Sequence, residues 1–515
     1  MRTGLGTVAA ALAMALLHAG PASAQESDAW KRCANDQKAS PDLQIGGCTA
    51  VIHSGRETTR NLAIAFNNRG NGYHAKKDYD RAIEDYGEAI NLDPNYARAY
   101  FNRGISYGDK GLEDRAIEDY TRAIELSPRY AHAYGNRGLA YAHKGDLDRA
   151  IRDYDDAIRF DPGNATDYNS RGNAYYDKHD YDRAIADYDR AIERDPNYAS
   201  AFTNRGNAWY AKKEFDKAIL DYTHAIRIDP KYGVAYANRG RAYREKGDPY
   251  SALDNYEQAV KYDPDNARTL NDRGNAYHAR KDYERAIADY SHAIRIDPKF
   301  AYPYNNRGNS YADQGKEDLA IADYDKAIGL DPGYVDAYVN RGRALARQKD
   351  FDRAFADFDA AIRIDPDSTR ARYNRAATYE RKNDFARAIE DYDAIVRLQP
   401  KTAGAWNSRC WARAILGADL NGALEDCNES LRLRPDAANT IDSRALVNLK
   451  LGDLDAALAD YDKALAINPK LAGSLWGRGV VKQKKGDGSG AEADFAAAKA
   501  IKADMADEWT RYNVK

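Results

Sequence analysis

An all-α solenoid is the fold class this chain predicts, on three observations. Pro94, Pro128, Pro162, Pro196, Pro230, Pro264, Pro298, Pro332, Pro366 and Pro400 stand 34 residues apart, with Pro435 following at 35 and Pro469 at 34. Between prolines, apolar and small residues recur at three- and four-residue intervals, pause, and recur again, the pattern of two short amphipathic helices and a turn. The 515 residues carry 77 basic and 80 acidic side chains, a net charge of -3. That balance leaves no global field to attract nucleic acid or an anionic membrane and suits two-helix units with one wet face each. Units of this kind bury their apolar faces only by stacking on their neighbours, so one array is expected rather than several globular domains.

The first 24 residues differ in kind. Arg2 supplies a positive start, the 13 residues from Leu5 to Leu17 are apolar, and Ala22-Ser23-Ala24 forms a small-x-small cleavage site. The apolar run is shorter than the roughly 20 residues a membrane-spanning helix needs. A secretory signal peptide over 1–24, export, and most simply a bacterial periplasm are the expectations.

Repeats begin at 63, 97, 131, 165, 199, 233, 267, 301, 335, 369, 403, 438 and 472, and the last has no proline. In the first, Phe66, Gly70 and Tyr73 mark helix A, Ala82, Tyr86 and Ala89 mark helix B, and Asp78 is placed to cap helix B. A 34-residue unit with an aromatic at position 4, Gly at 8, Tyr at 11, Ala at 20, an aromatic at 24, Ala at 27 and Pro at 32 resembles the tetratricopeptide repeat. The resemblance covers 63–505 and implies antiparallel helix pairs wound into a right-handed superhelix of stacked helix-turn-helix units. It also implies that the A helices line a concave groove where partners bind.

Both ends depart from the pattern. Residues 25–62 read as a degenerate N-terminal capping repeat, with Arg32-Cys33 at the places of positions 7 and 8 and Ile45, Cys48 and Ile52 on a helix B spacing. Residues 506–515, with Trp509, read as a C-terminal cap. Cys410 takes position 8, and Cys427 takes position 24 once one extra turn residue is allowed for. Cys33 and Cys48 hold the equivalent places in the cap. Positions 8 and 24 meet across one helical hairpin, so disulfides Cys33–Cys48 and Cys410–Cys427 are expected in an oxidising compartment.

Arginine fills position 7 in every repeat, from Arg69 to Arg478, and aspartate fills position 23 in all but one, where Asn255 stands. A charge recurring on a packing face needs a partner, so a ladder of guanidinium–carboxylate pairs is expected between helix A and helix B of the same or the adjoining unit. Most of the 39 tyrosines fall at positions 4, 11 and 24 and belong to the packing. Tyr176, Tyr210, Tyr302 and Tyr373 fall out of register at positions expected to face the groove.

Asparagine recurs at position 6, as Asn68, Asn102, Asn136, Asn204, Asn238, Asn306, Asn340 and Asn374. An amide both donates and accepts, so such a row can grip an extended main chain, or can equally be satisfied by the neighbouring repeat. Arg241, Arg244, Arg343, Arg347 and Arg381 fall at positions 9, 12 or 13 and make one stretch of the groove modestly basic, tempered by Glu245, Asp313 and Glu380. That stretch favours extended or acidic protein segments as partners. The lysine with which co-chaperone repeats clamp a C-terminal carboxylate, at position 5, is absent from every unit.

No zinc-protease His-Glu-x-x-His or phosphate-binding loop occurs. The expectation is therefore a protein without catalytic residues, cofactor or metal: a protein–protein interaction scaffold of the cell envelope that captures extended segments. A carbohydrate or peptidoglycan binder, or a structural spacer, is the alternative.

Overall fold

The computed structural model of the protein describes residues 28–34 and 40–510; the signal-like segment 1–24 lies outside the described residues. Those residues form helices and turns, with no strand among them, and within each of the two units described below a helix packs on the next in the chain. They fall into two compact units, 28–248 and 249–510. The first begins with the hairpin Asp28–Ala34 and Pro41–His53 and runs to the A helix Gly233–Glu245. The second runs from the B helix Pro249–Tyr262 to the short helix Met505–Thr510.

The turn within a repeat is fixed by its last two residues. At the end of the A helix Thr59–Ala75, Lys77 adopts the left-handed conformation with φ 60°. The Asp78 N–H then reaches back to the Tyr73 carbonyl at 2.9 Å, a Schellman closure that satisfies a carbonyl the helix end leaves open. Asp78 is at once the N-cap of the helix Tyr79–Leu92, its side chain accepting the Arg81 N–H. The same left-handed residue recurs at position 15 as Gly111, Gly145, His179 and Lys213, which explains why glycine alternates there with polar residues. The periodic proline follows helix B in a second turn: Asp93 accepts from Tyr96 through its carbonyl at 3.0 Å and from Asn95 through its side chain at 3.0 Å. Aspartate first and proline second is the composition a type I turn favours.

Helices A and B close on each other at positions 8 and 24. A Cβ at Gly70 would stand 2.7 Å from the Tyr86 ring, and at Gly206 2.7 Å from the Tyr222 ring. At these two positions a side chain would displace the buried tyrosine ring, which lies against the glycine backbone. Two hairpins replace this glycine–aromatic contact with a covalent bond. Cys33–Cys48 and Cys410–Cys427 are disulfides with Cα–Cα separations of 4.5 and 5.5 Å, and no described cysteine is free.

The arginine–aspartate ladder is present and is intra-repeat. Arg69 donates through Nε and Nη2 to both carboxylate oxygens of Asp85, each at 2.8 Å. The same fork recurs from Arg103–Asp119 to Arg205–Asp221 in the first unit and from Arg273–Asp289 to Arg478–Asp494 in the second. The remaining nitrogen, Nη1, turns to position 25 of the preceding repeat. It meets Thr121 from Arg137, Asp155 from Arg171, Asp325 from Arg341 and Asp462 from Arg478. One guanidinium thus ties three helices together, two of its own repeat and one of the repeat before.

Candidate functional site: the exposed face of the A helices

The asparagine row is largely bonded to itself. In the first unit Asn102 Nδ2 donates to Asn67 Oδ1 at 2.9 Å and Asn204 Nδ2 to Asn169 Oδ1 at 3.0 Å, a position 6 amide reaching position 5 of the preceding repeat. Asn238 instead reaches Asn207 at position 9, at 3.0 Å. In the second unit the amides form a continuous tape: Asn340 donates to Asn305 at 2.9 Å, Asn305 to Asn306 at 3.2 Å, and Asn306 to Asn271 at 3.0 Å. Asn68 accepts from its neighbour Asn67 at 3.3 Å. Asn136 and Asn374 donate to carbonyls one turn back in their own helices, His132 at 2.8 Å and Arg370 at 2.7 Å.

Position 9 supplies a second amide set. Asn71, Asn173, Asn207, Asn275 and Asn309 each accept the hydroxyl of the position 24 tyrosine of their own repeat, at 2.8 to 2.9 Å. These amides, and the position 5 ones, were missed from the sequence although they recur at the same period as the position 6 row. Their signal in the sequence is the same 34-residue recurrence that marks position 6.

The arginines do not form one surface. In the first unit Arg241 donates to Asn238 Oδ1 at 3.2 Å, and Arg244 pairs with its neighbour Glu245 at 2.9 Å. In the second unit three guanidiniums come together. Arg343 and Arg347 lie one turn apart on the helix Val335–Arg347, on the same face as Asn340. Arg370, from the next A helix, donates through Nη2 to Asn340 Oδ1 at 2.7 Å. Arg347 is held by Glu317 at 3.1 Å and Arg370 by Asp336, whereas among the described residues Arg343 has no carboxylate within ion-pair distance. Partial burial, followed by repulsion from Arg347 and Arg370, pulls the Arg343 guanidinium below its ordinary pKa. Arg381 lies apart, its guanidinium 5.6 Å from the centre of the Phe351 ring.

The out-of-register tyrosines rest on other aromatics. Tyr176 lies 5.4 Å from Tyr181 and Tyr210 lies 5.4 Å from Phe215, centre to centre. Tyr302 sits between Phe300 and Tyr334, and Tyr373 meets Tyr392 at 6.0 Å. Tyr302 and Tyr373 are about half exposed, at 52% and 47%.

Stacked two-helix units of this geometry define a repeat scaffold that presents a row of A helices. The chain belongs to the tetratricopeptide-repeat family. A family model described as TPR repeat matches 70–111, 240–279, 274–315 and 445–486. Two described as tetratricopeptide repeat match 103–165, 169–232 and 305–369 in one case and 345–408 in the other. The family serves protein–protein interaction and is generally non-enzymatic. No curated protein sequence matches this one significantly.

Solved structures similar to this chain include the APC/C hetero-tetramer Cut9-Hcn1, at 16% identity over 89% of this chain and 96% of that one, with a TM-score of 0.45. Yeast Tom70 is 18% identical over 88% of this chain and 100% of its own, with a TM-score of 0.38. Pseudomonas aeruginosa pilF is 20% identical over 39% and 92%, with a TM-score of 0.36.

Proposed function

We propose that the protein is an exported, envelope-located scaffold that captures extended acidic segments of partner proteins on the A-helix face. The observation that carries this reading is the convergence of Arg343, Arg347 and Arg370, in which Arg343 has no carboxylate partner among the described residues. Glu317 and Asp336 already hold Arg347 and Arg370, so Arg343 is the guanidinium of the three left to an arriving anion, which it can match in a bidentate fork. The amide tape through Asn271, Asn306, Asn305 and Asn340 leads to this cluster; Asn271, Asn305 and Asn340 are buried and spend their amides on one another, which leaves the part-exposed Asn306 to meet an arriving main chain. A preformed rigid face loses little entropy when an extended segment docks.

Export rests on the signal-like segment 1–24 and the two disulfides, since disulfides persist in oxidising compartments. Among the described residues no helix is long and apolar enough to cross a membrane.

The test is fluorescence anisotropy of an extended glutamate-rich peptide against the full chain and Arg343→Ser/Arg347→Ser. The peptide is expected to bind, to lose at least roughly tenfold in affinity to the double variant, and to weaken as salt rises. Equal binding to both proteins would remove the cluster from the partner site. Salt-insensitive binding of a neutral glycan in place of the peptide would favour the carbohydrate alternative, for which half-exposed Tyr302 and Tyr373 are the available rings.

A further inference from the structure

The repeat beginning at 438 departs at three linked places from the repeats that seat a buried tyrosine hydroxyl on a position 9 asparagine. Position 8 is Ala445 instead of glycine, position 9 is Leu446 instead of the asparagine that holds a tyrosine hydroxyl, and position 6 of the next repeat is Gly477 instead of asparagine. The buried position 24 tyrosine, Tyr461, has moved accordingly: a Cβ at Gly477 would stand 2.3 Å from its ring carbon Cζ and 2.4 Å from its hydroxyl oxygen. Tyr461 is fully buried, and among the described residues its hydroxyl has no hydrogen-bond partner. The other tyrosine paired with an alanine at position 8, Tyr392 with Ala376, gives its hydroxyl to Glu380 at 3.1 Å. An orphaned buried hydroxyl is costly enough to need an explanation.

Tyr461 lines a cavity of about 220 Å³ within the second unit. Asp442, on the helix Ala438–Leu451, lines it too, and Ser474 Oγ donates to Asp442 Oδ1 at 2.5 Å. Burial pushes the Asp442 carboxyl up to about 6. Trp411 and Leu446 form one wall, and Met505 and Trp509 of the closing helix form another. Among the described residues Lys502 is the cation in the lining, and it is engaged by Glu508. The cavity therefore combines a carboxylate, an unused hydroxyl oxygen and aromatic faces, which are the parts that recognise a small organic cation.

We propose that this cavity is a binding site for a primary alkylammonium ion, its N–H groups donating to Asp442 and Tyr461 and its short apolar body lying against Trp411, Leu446 and Trp509. The site is independent of the arginine cluster and of the protein-binding reading. Among the described residues the titratable groups that line the cavity with Asp442 are Tyr461, Lys502 and Glu508; the lining residues from the helices Ala403–Leu416 and Ala472–Lys484, namely Trp411, Ala472 and Gly473, carry no charge.

Calorimetric titration of the full chain with n-butylammonium and with its neutral isostere n-butanol tests this, alongside Asp442→Asn and Tyr461→Phe. Circular dichroism first verifies that both variants fold; Tyr461→Phe keeps the ring and serves if Asp442→Asn does not fold. Saturable binding of the amine is expected, strengthening as the pH rises through 6, absent with n-butanol, and weakened at least roughly tenfold by Asp442→Asn. No saturable binding at millimolar amine, equal binding of n-butanol, or binding unchanged in both variants would overturn the proposal.

Discussion

Arg205 grips Asp221 through two parallel hydrogen bonds, Nε to Oδ2 at 2.9 Å and Nη2 to Oδ1 at 2.6 Å, and sends Nη1 back to Asp189 of the preceding repeat at 2.5 Å. Asp221 is 2% exposed, and burial pushes its carboxyl up against the pull of Arg205. The fork joins the two helices of one unit and the third bond joins two units, so cohesion between neighbours is written into the same side chain as cohesion within one.

Removing the guanidinium leaves Asp221 buried and unpaired. Arg205→Leu is expected to cost about 3–5 kcal/mol in a denaturant melt, with hydrogen exchange rising in 199–232 and the adjoining repeats. Arg205→Leu/Asp221→Leu should recover part of that loss, because a pair replaced as a pair leaves no orphan charge. A single variant within half a kcal/mol of wild type, about the size of an exposed pair, would show the ladder to be a surface feature.

Asp167 is a second carboxylate out of place. It stands at position 3, where the other repeats carry Ala, Thr, Pro or Ser, and it fits only because position 5 of the preceding A helix is Gly135, where a Cβ would meet its Oδ1 at 2.6 Å. Burial raises its pKa from 3.8 to about 7, although Asn164 donates to it at 2.8 Å. A raised carboxyl pKa means that the folded state holds the proton longer than the unfolded chain, so its contribution falls as pH rises from about 4 to about 7 and then levels. Asp167→Asn should therefore match wild type near pH 4 and be the more stable at pH 8, by at most about 4 kcal/mol at roughly 1.4 kcal/mol per pH unit. Melting both proteins across that range measures the difference.

The left-handed turn residue predicts opposite signs for two exchanges. Lys213, at φ 62°, is expected to gain up to about 1 kcal/mol as Lys213→Gly, which relieves the strain of an L side chain in that conformation. Gly145, at φ 80°, should lose about 1 kcal/mol as Gly145→Ala. Chemical melts of the two variants against wild type decide the signs.

Both disulfides close short hairpins, of 15 and 17 residues, and each is worth around 3 kcal/mol in the chain-entropy picture. Thiol titration of the unreduced mature protein should find none free. Reduction should loosen 28–53 and 403–433 first, read as faster hydrogen exchange confined to those hairpins.

The period of the prolines, the turn residues, the paired cysteines and the recurrence of Arg at position 7 with Asp at position 23 were all legible in the sequence. Each depends on local geometry or on spacing within one unit, and thirteen copies expose such spacings. The sequence did not show which way the third guanidinium nitrogen of Arg205 points, nor that Asn306 donates to Asn271, because those contacts depend on how far one unit turns on the next. It likewise did not show that Arg370 joins Arg343 and Arg347, since the three come from two helices. Tyr461 is the clearest case: its position marks it as ordinary core, and only the packing around Ala445, Leu446 and Gly477 leaves its hydroxyl without a partner at the wall of a cavity. Periodic sequence determines what each unit is. Where a unit departs from the period, the fit of side chains across neighbouring units decides what it does, because burial and hydrogen-bond satisfaction are properties of three-dimensional contact rather than of spacing.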